Sequence, residues 1–208
     1  LQRAAAISNS AELGREALAA LALPDFRFER EMPIPPDDIE PLLDPSFARV
    51  AVSHGRGSVE IRAVANGRLL ATLPASTNLA VFVRRWSPDG RFLAVKRDYP
   101  DGGNTADWEV WDVSAERCVL RLRGMLHDAF CFHPRIPHCI ASHRTKGTAI
   151  WNLIDGREVR QFPKMVRPHV LRFSPDGERV AAVSARPPGV VVTIHDVRDP
   201  NSPELIVS

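Results

Sequence analysis

The chain has 208 residues, of which 44% are hydrophobic and 25% charged, with a formal net charge of +2. That length supports a single domain with a buried core, the composition excludes a disordered chain, and the mixed charge lacks the basic excess of a nucleic-acid binder. No window of about 18 apolar residues occurs, so no membrane-spanning helix is expected, and no signal peptide is visible.

Lys96, Lys146 and Lys164 are the only lysines, and the rest of the 27 basic residues are Arg, a bias that codon usage in a GC-rich genome explains. Cys118, Cys131 and Cys139 are too few, and odd in number, for a disulfide framework. The cysteine usage leans toward a reducing, cytoplasmic setting without fixing the compartment. Beginning at Leu1, the chain reads as a piece of something longer.

In chain order, residues 1–25 form a helical segment. Ser10 is an N-cap, Ala11 to Leu21 is rich in Ala, Leu and Glu, Glu12 sits in the first turn and Pro24 lies beyond the end. Residues 26–38 hold a lone strand, Phe26 to Met32, and a loop carrying Pro33, Pro35 and Pro36. From residue 39 onward the chain is all-β. Four units follow, at about 39–73, 79–123, 126–162 and 169–207, each with four strands. Asn66-Gly67 and Asp155-Gly156 are hairpin turns, because both central residues tolerate a positive φ.

The units share two landmarks. A turn proline recurs at Pro45, Pro88, Pro134 and Pro175, and the apolar run of the third strand ends at Arg62, Trp111, Trp151 and His195. Both series step by roughly 40–49 residues, the length of one four-stranded sheet in a radial repeat. In Ser87-Pro88-Asp89-Gly90 and Ser174-Pro175-Asp176-Gly177, Pro presets φ, Asp accepts backbone N–H bonds and Gly supplies a positive φ.

These turns, with the dipeptide Trp111-Asp112 and its echoes Trp151-Asn152 and His195-Asp196, resemble WD repeats from about Ile39 to Ser208. The resemblance implies blades of a β-propeller, a fold that serves as a protein-binding platform. No Gly-His pair precedes an inner strand, so the family's buried hydrogen-bond network is not carried over, and apolar packing is expected to hold the blades. The stretch Glu12 to Arg30, including Leu21-Ala22-Leu23-Pro24-Asp25-Phe26-Arg27, is similar to a helical segment before the propeller of large bacterial signalling proteins, serine/threonine kinases among them. No Gly-rich phosphate loop and no His-Arg-Asp motif is present, so kinase activity is not expected in this chain.

Cys131, His133, His138, Cys139 and His143 have the composition of a zinc site. His138 and Cys139, being adjacent, point to opposite faces of a strand, and His133 stands where other units have Ser, so no metal is expected. Ser53-His54 and Ser142-His143 lack a third partner by spacing, and no catalysis or cofactor is expected. A protein or peptide partner is expected instead. The loop Asp98 to Asp107 carries Tyr99, the sole tyrosine, with Asp98, Asp101 and Arg97 beside it. It opens on the face that also bears Thr72 to Asn78, Arg144 to Gly147 and Lys164 to His169. Arg85 and Arg172 are further candidates, at equivalent places on inner strands, with a structural ion pair as their alternative role. The leading reading is a non-catalytic interaction scaffold or sensor. The alternative is the gating or substrate-binding propeller of a hydrolase or peptidase. Four blades are few for a closed ring, so a homodimer or a longer propeller is expected to complete it.

Overall fold

The computed structural model describes residues 38–208 except 55–56, 76–79, 100–104, 166, 187–188, 202–204 and 208. All of them lie in the compact unit Ile34–Ser208. The helix expected over Ser10 to Leu21 and the strand expected over Phe26 to Met32 lie outside the described residues.

Every regular element among the described residues is a strand, and every strand pairing is antiparallel. The first sheet orders β1 (Asp38–Leu43), β2 (Arg49–His54), β3 (Val59–Ala63) and β4 (Leu69–Leu73). The second has seven strands: β5 (Ala80–Trp86), β6 (Phe92–Asp98), β7 (Thr105–Asp112), β8 (Arg117–Phe132), β9 (His138–His143), β10 (Gly147–Asn152) and β11 (Glu158–Phe162). The third contains β12 (Val170–Phe173), β13 (Arg179–Arg186), β14 (Gly189–Asp196) and β15 (Leu205–Val207).

The seven-stranded sheet is two meanders sharing one strand. β8 pairs β7 from Arg117 to Leu126 and β9 from Met125 to Phe132. The sequence suggested two strands here, and the structure runs them as one. Pro74 interrupts the chain after β4, and Pro163 and Pro168 interrupt it after β11, whereas no proline stands between Arg117 and Phe132. Gly124, with φ of 64°, turns the backbone without ending the strand.

The four meanders share one register. Arg62, Trp111, Trp151 and His195 face Val50, Leu93, Cys139 and Val180 across their ladders. The core lies in three layers, each between successive meanders. Leu93 and Val95 pack with Ile61 and Leu73, while Phe92 and Ala94 pack with Phe130 and Phe132. β6 is therefore buried on both faces, and its continuous apolar run follows from that position. The third layer joins Ile140, Ile150 and Phe162 to Leu171, Val180 and Ala182.

One tight turn is built four times with three chemistries. Ser87 Oγ accepts from Phe92 N at 2.8 Å, and Ser174 Oγ from Arg179 N at 2.9 Å. Asp44 does this work in the first meander, with Oδ1 accepting from Arg49 N at 2.9 Å. In the third, His133 Nδ1 accepts from Arg135 N and Ile136 N at 3.1 and 3.2 Å. Gly90 and Gly177 hold the positive-φ corner, which Phe47 occupies in the first turn at φ of 58°. The second residue of each WD-like dipeptide caps the next turn: Asp112 accepts from Ala115 N, Asn152 from Ile154 N and Asp196 from Arg198 N.

Polar latches join the meanders where the strand breaks. Arg49 Nη2 donates to Gly90 O at 2.5 Å and its guanidinium lies over the Trp86 ring. His133 Nε2 bonds Gly177 O at 3.2 Å and its ring packs on Phe173. Between the second and third meanders Arg91 turns back to Asp112 at 2.7 Å, and continuous β8 makes the link.

Apolar packing is supplemented by a buried ionic network in the second meander. Arg97 Nε donates to Glu109 Oε2 at 2.9 Å, and the same carboxylate accepts from Trp111 Nε1 at 3.1 Å and pairs with Arg121 at 2.9 Å. Arg97 also reaches back to Gly57 O and Pro74 O in the first meander.

Candidate interaction site

The loop end of β6 and β7 holds the residues expected to meet a partner. Tyr99 donates its hydroxyl hydrogen to Asp107 Oδ1 at 2.6 Å, and Gly124 N donates to the same oxygen at 3.1 Å. Gly124 O in turn accepts from Arg144 N at 3.3 Å. A short hydrogen-bond chain thus draws the Tyr99 loop and the exposed Arg144 turn together on one face. Asp98 pairs with Lys96 at 3.0 Å, and the Lys96 ammonium lies over the Phe82 ring. Asp101 lies outside the described residues.

Arg97 is placed differently from the surface role expected of it. It is 1% exposed, and its guanidinium is taken by one carboxylate and two carbonyls. The buried Glu109 on the neighbouring strand supplies the compensating charge, a pairing that sequence polarity does not reveal.

Arg85 and Arg172 are equivalent in register, facing Ala94 and Ala181, with Cys131 facing Ile140 as the third of the set. Arg172 is exposed and donates to Leu171 O at 2.8 Å. Arg85 lies four residues along the ladder from Asp98, roughly 13 Å at the rise of a strand. The structure does not bring these two arginines to the Tyr99 face.

The Cys and His residues of the third meander are dispersed. Cys131 and Cys139 belong to different core layers, and burial pushes the Cys139 thiol well up. Both ring nitrogens of His133 are engaged, Nδ1 as an acceptor, so the proton sits on Nε2. Burial pushes the His133 pKa down, with His138 and Arg135 acting in the same sense and the Gly177 bond opposing. Ser142 is buried and its hydroxyl is bonded to Thr148 Oγ1 at 3.0 Å. His54 lies 3.3 Å from Glu60.

A second surface was missed in the sequence. A groove of about 440 Å³ runs between the second and third meanders, floored by Leu122, Met125, Ala149 and Trp151. Its signal is a broken pattern. Arg62 Nε donates to Glu60, Trp111 Nε1 to Glu109 and His195 Nε2 bonds Thr193, each two residues earlier on the same strand. In the third meander the residue two before Trp151 is Ala149, which offers no acceptor.

No family model matches the chain, and comparison with curated proteins finds no match.

Proposed function

We propose that this chain is a non-catalytic protein-interaction module, made of WD-like propeller blades and working as a scaffold or sensor within a larger signalling protein. One observation carries the reading: a single meander repeats four times at one register, and each copy buries its faces on the next. Such stacking consumes the sheet faces in the core and leaves loop ends and inter-sheet grooves to meet other molecules. The face carrying Tyr99, Asp98 and Arg144 is the docking face in this proposal, with Tyr99 as its aromatic anchor.

A photo-crosslinking amino acid substituted at Tyr99 or Arg144 should capture a discrete protein, and one at Asp89 or Asp176, in the opposite turns, should not. The reverse pattern overturns the choice of face. Four blades also leave outer sheets to be covered, so the isolated chain should be dimeric by light scattering. A monomer in which the first and fourth meanders close on each other refutes that part.

A further inference from the structure

We infer that the groove between the second and third meanders is a separate binding site for an acidic, extended segment of a partner protein. The first ground is a donor that the protein leaves to solvent. The equivalent positions in the other three meanders are satisfied internally by Glu60, Glu109 and Thr193. Trp151 has Ala149 there instead, and among the described residues its indole N–H has no acceptor while its ring lines the groove. An indole N–H left open beside a small residue has room for a ligand's oxygen where a sibling meander places its own carboxylate.

Charge is the second ground. Arg123 and Lys146 stand exposed on the rim, and neither has an ion-pair partner among the described residues. Arg121 pairs with Glu109 at 2.9 Å and shares that one carboxylate with Arg97. Glu158 is the one carboxylate on the groove wall, against two unmet cations. His143 is held neutral by N–H bonds from Thr145 and Lys146 to Nδ1, which leaves its proton on Nε2 as a second donor.

Shape selects an extended chain. β8 pairs β7 on one side from Arg117 onward, and its other edge meets β9 only from Met125. Arg121, Leu122 and Arg123 line the groove on a stretch of β8 that β9 does not pair, which suits a peptide lying along it. At Gly156 an added methyl group would come within 2.8 Å of Val119 O, so the last turn of the third meander lies against β8 at that point. The floor of Leu122, Met125 and Ala149 accepts alternate apolar side chains, and the rim accepts the acids between them.

The test uses the full chain, labelled with ¹⁵N at its indole nitrogens, and a short peptide of alternating Asp and Leu. The peptide should shift the Trp151 indole resonance, and its Lys–Leu counterpart should not. Trp151→Phe, which keeps a ring but removes the donor, should weaken binding severalfold. Lys146→Glu with Arg123→Glu should weaken it at least tenfold. Ala149→Glu should abolish it by giving Trp151 the acceptor that Trp111 has. Tyr99→Ala should leave it unchanged, which separates this site from the docking face. Equal binding of the Lys–Leu peptide, insensitivity to the groove variants, tighter binding of a single-stranded oligonucleotide, or a self-association abolished by Lys146→Glu would each overturn the inference.

Discussion

Replacing Arg97 with Met tests how far the first two meanders depend on a buried charge. Arg97 and Glu109 are 1% and 2% exposed, with Nε and Oε2 2.9 Å apart. Truncation leaves the Glu109 carboxylate buried, with the half-exposed Arg121 guanidinium as its counter-charge. It also removes the donor from Gly57 O and Pro74 O. Breaking a buried pair from one side costs about 3–5 kcal/mol, because the remaining ion keeps its desolvation penalty. Arg121 reduces that cost and the two orphaned carbonyls add to it, so a loss of about 4 kcal/mol is expected. Urea unfolding of Arg97→Met, Glu109→Leu and the double variant completes a double-mutant cycle. The double variant should recover more than half of the loss, since an apolar pair carries no buried charge. A single-variant loss below about 1 kcal/mol, or a double variant as unstable as the two singles added, refutes the argument.

Acid should weaken the third meander first. Burial lowers the pKa of His133, His138 and His143, so the unfolded chain binds more protons than the folded one. Stability is thus complete above about pH 6.5 and falls as pH drops through that value. His133→Ser, the residue at the same turn position in two other meanders, should flatten the pH dependence of the urea midpoint, and an unchanged slope contradicts the assignment. Gly177→Ala should be more damaging than Gly90→Ala in thermal melts. Both corners have positive φ, but the new methyl runs into the His133 ring in one case and meets the tip of flexible Arg49 at 2.7 Å in the other. Equal losses refute this. Phe47→Asn should raise stability by about 0.5–1 kcal/mol, because an exposed Phe at φ of 58° carries left-handed strain that Asn tolerates. A measurable loss counts against strain at that corner.

Much of the β architecture was legible from the residues alone. Local rules act over a few positions: Ser-Pro-Asp-Gly and Asn-Gly set the turns, and once the turns are set, period-2 alternation sets the register. The landmarks Arg62, Trp111, Trp151 and His195 accordingly fall at one ladder position. Long-range choices were not legible. Whether β8 continues or breaks depends on Gly124 bending between two partner strands. Whether an arginine is a surface contact or a buried tie depends on which carboxylate the neighbouring strand brings to it: β7 brings Glu109, two residues along from the position facing Arg97, whereas Arg172 faces Ala181. Tyr99 read as an anchor from its loop, while its bond to Asp107 required the fold. The open indole of Trp151 is the clearest instance. Ala149 looks unremarkable in sequence, and becomes informative only when packing shows that its counterparts Glu60, Glu109 and Thr193 each satisfy the side chain two residues on, because hydrogen-bond satisfaction is a property of the assembled sheets.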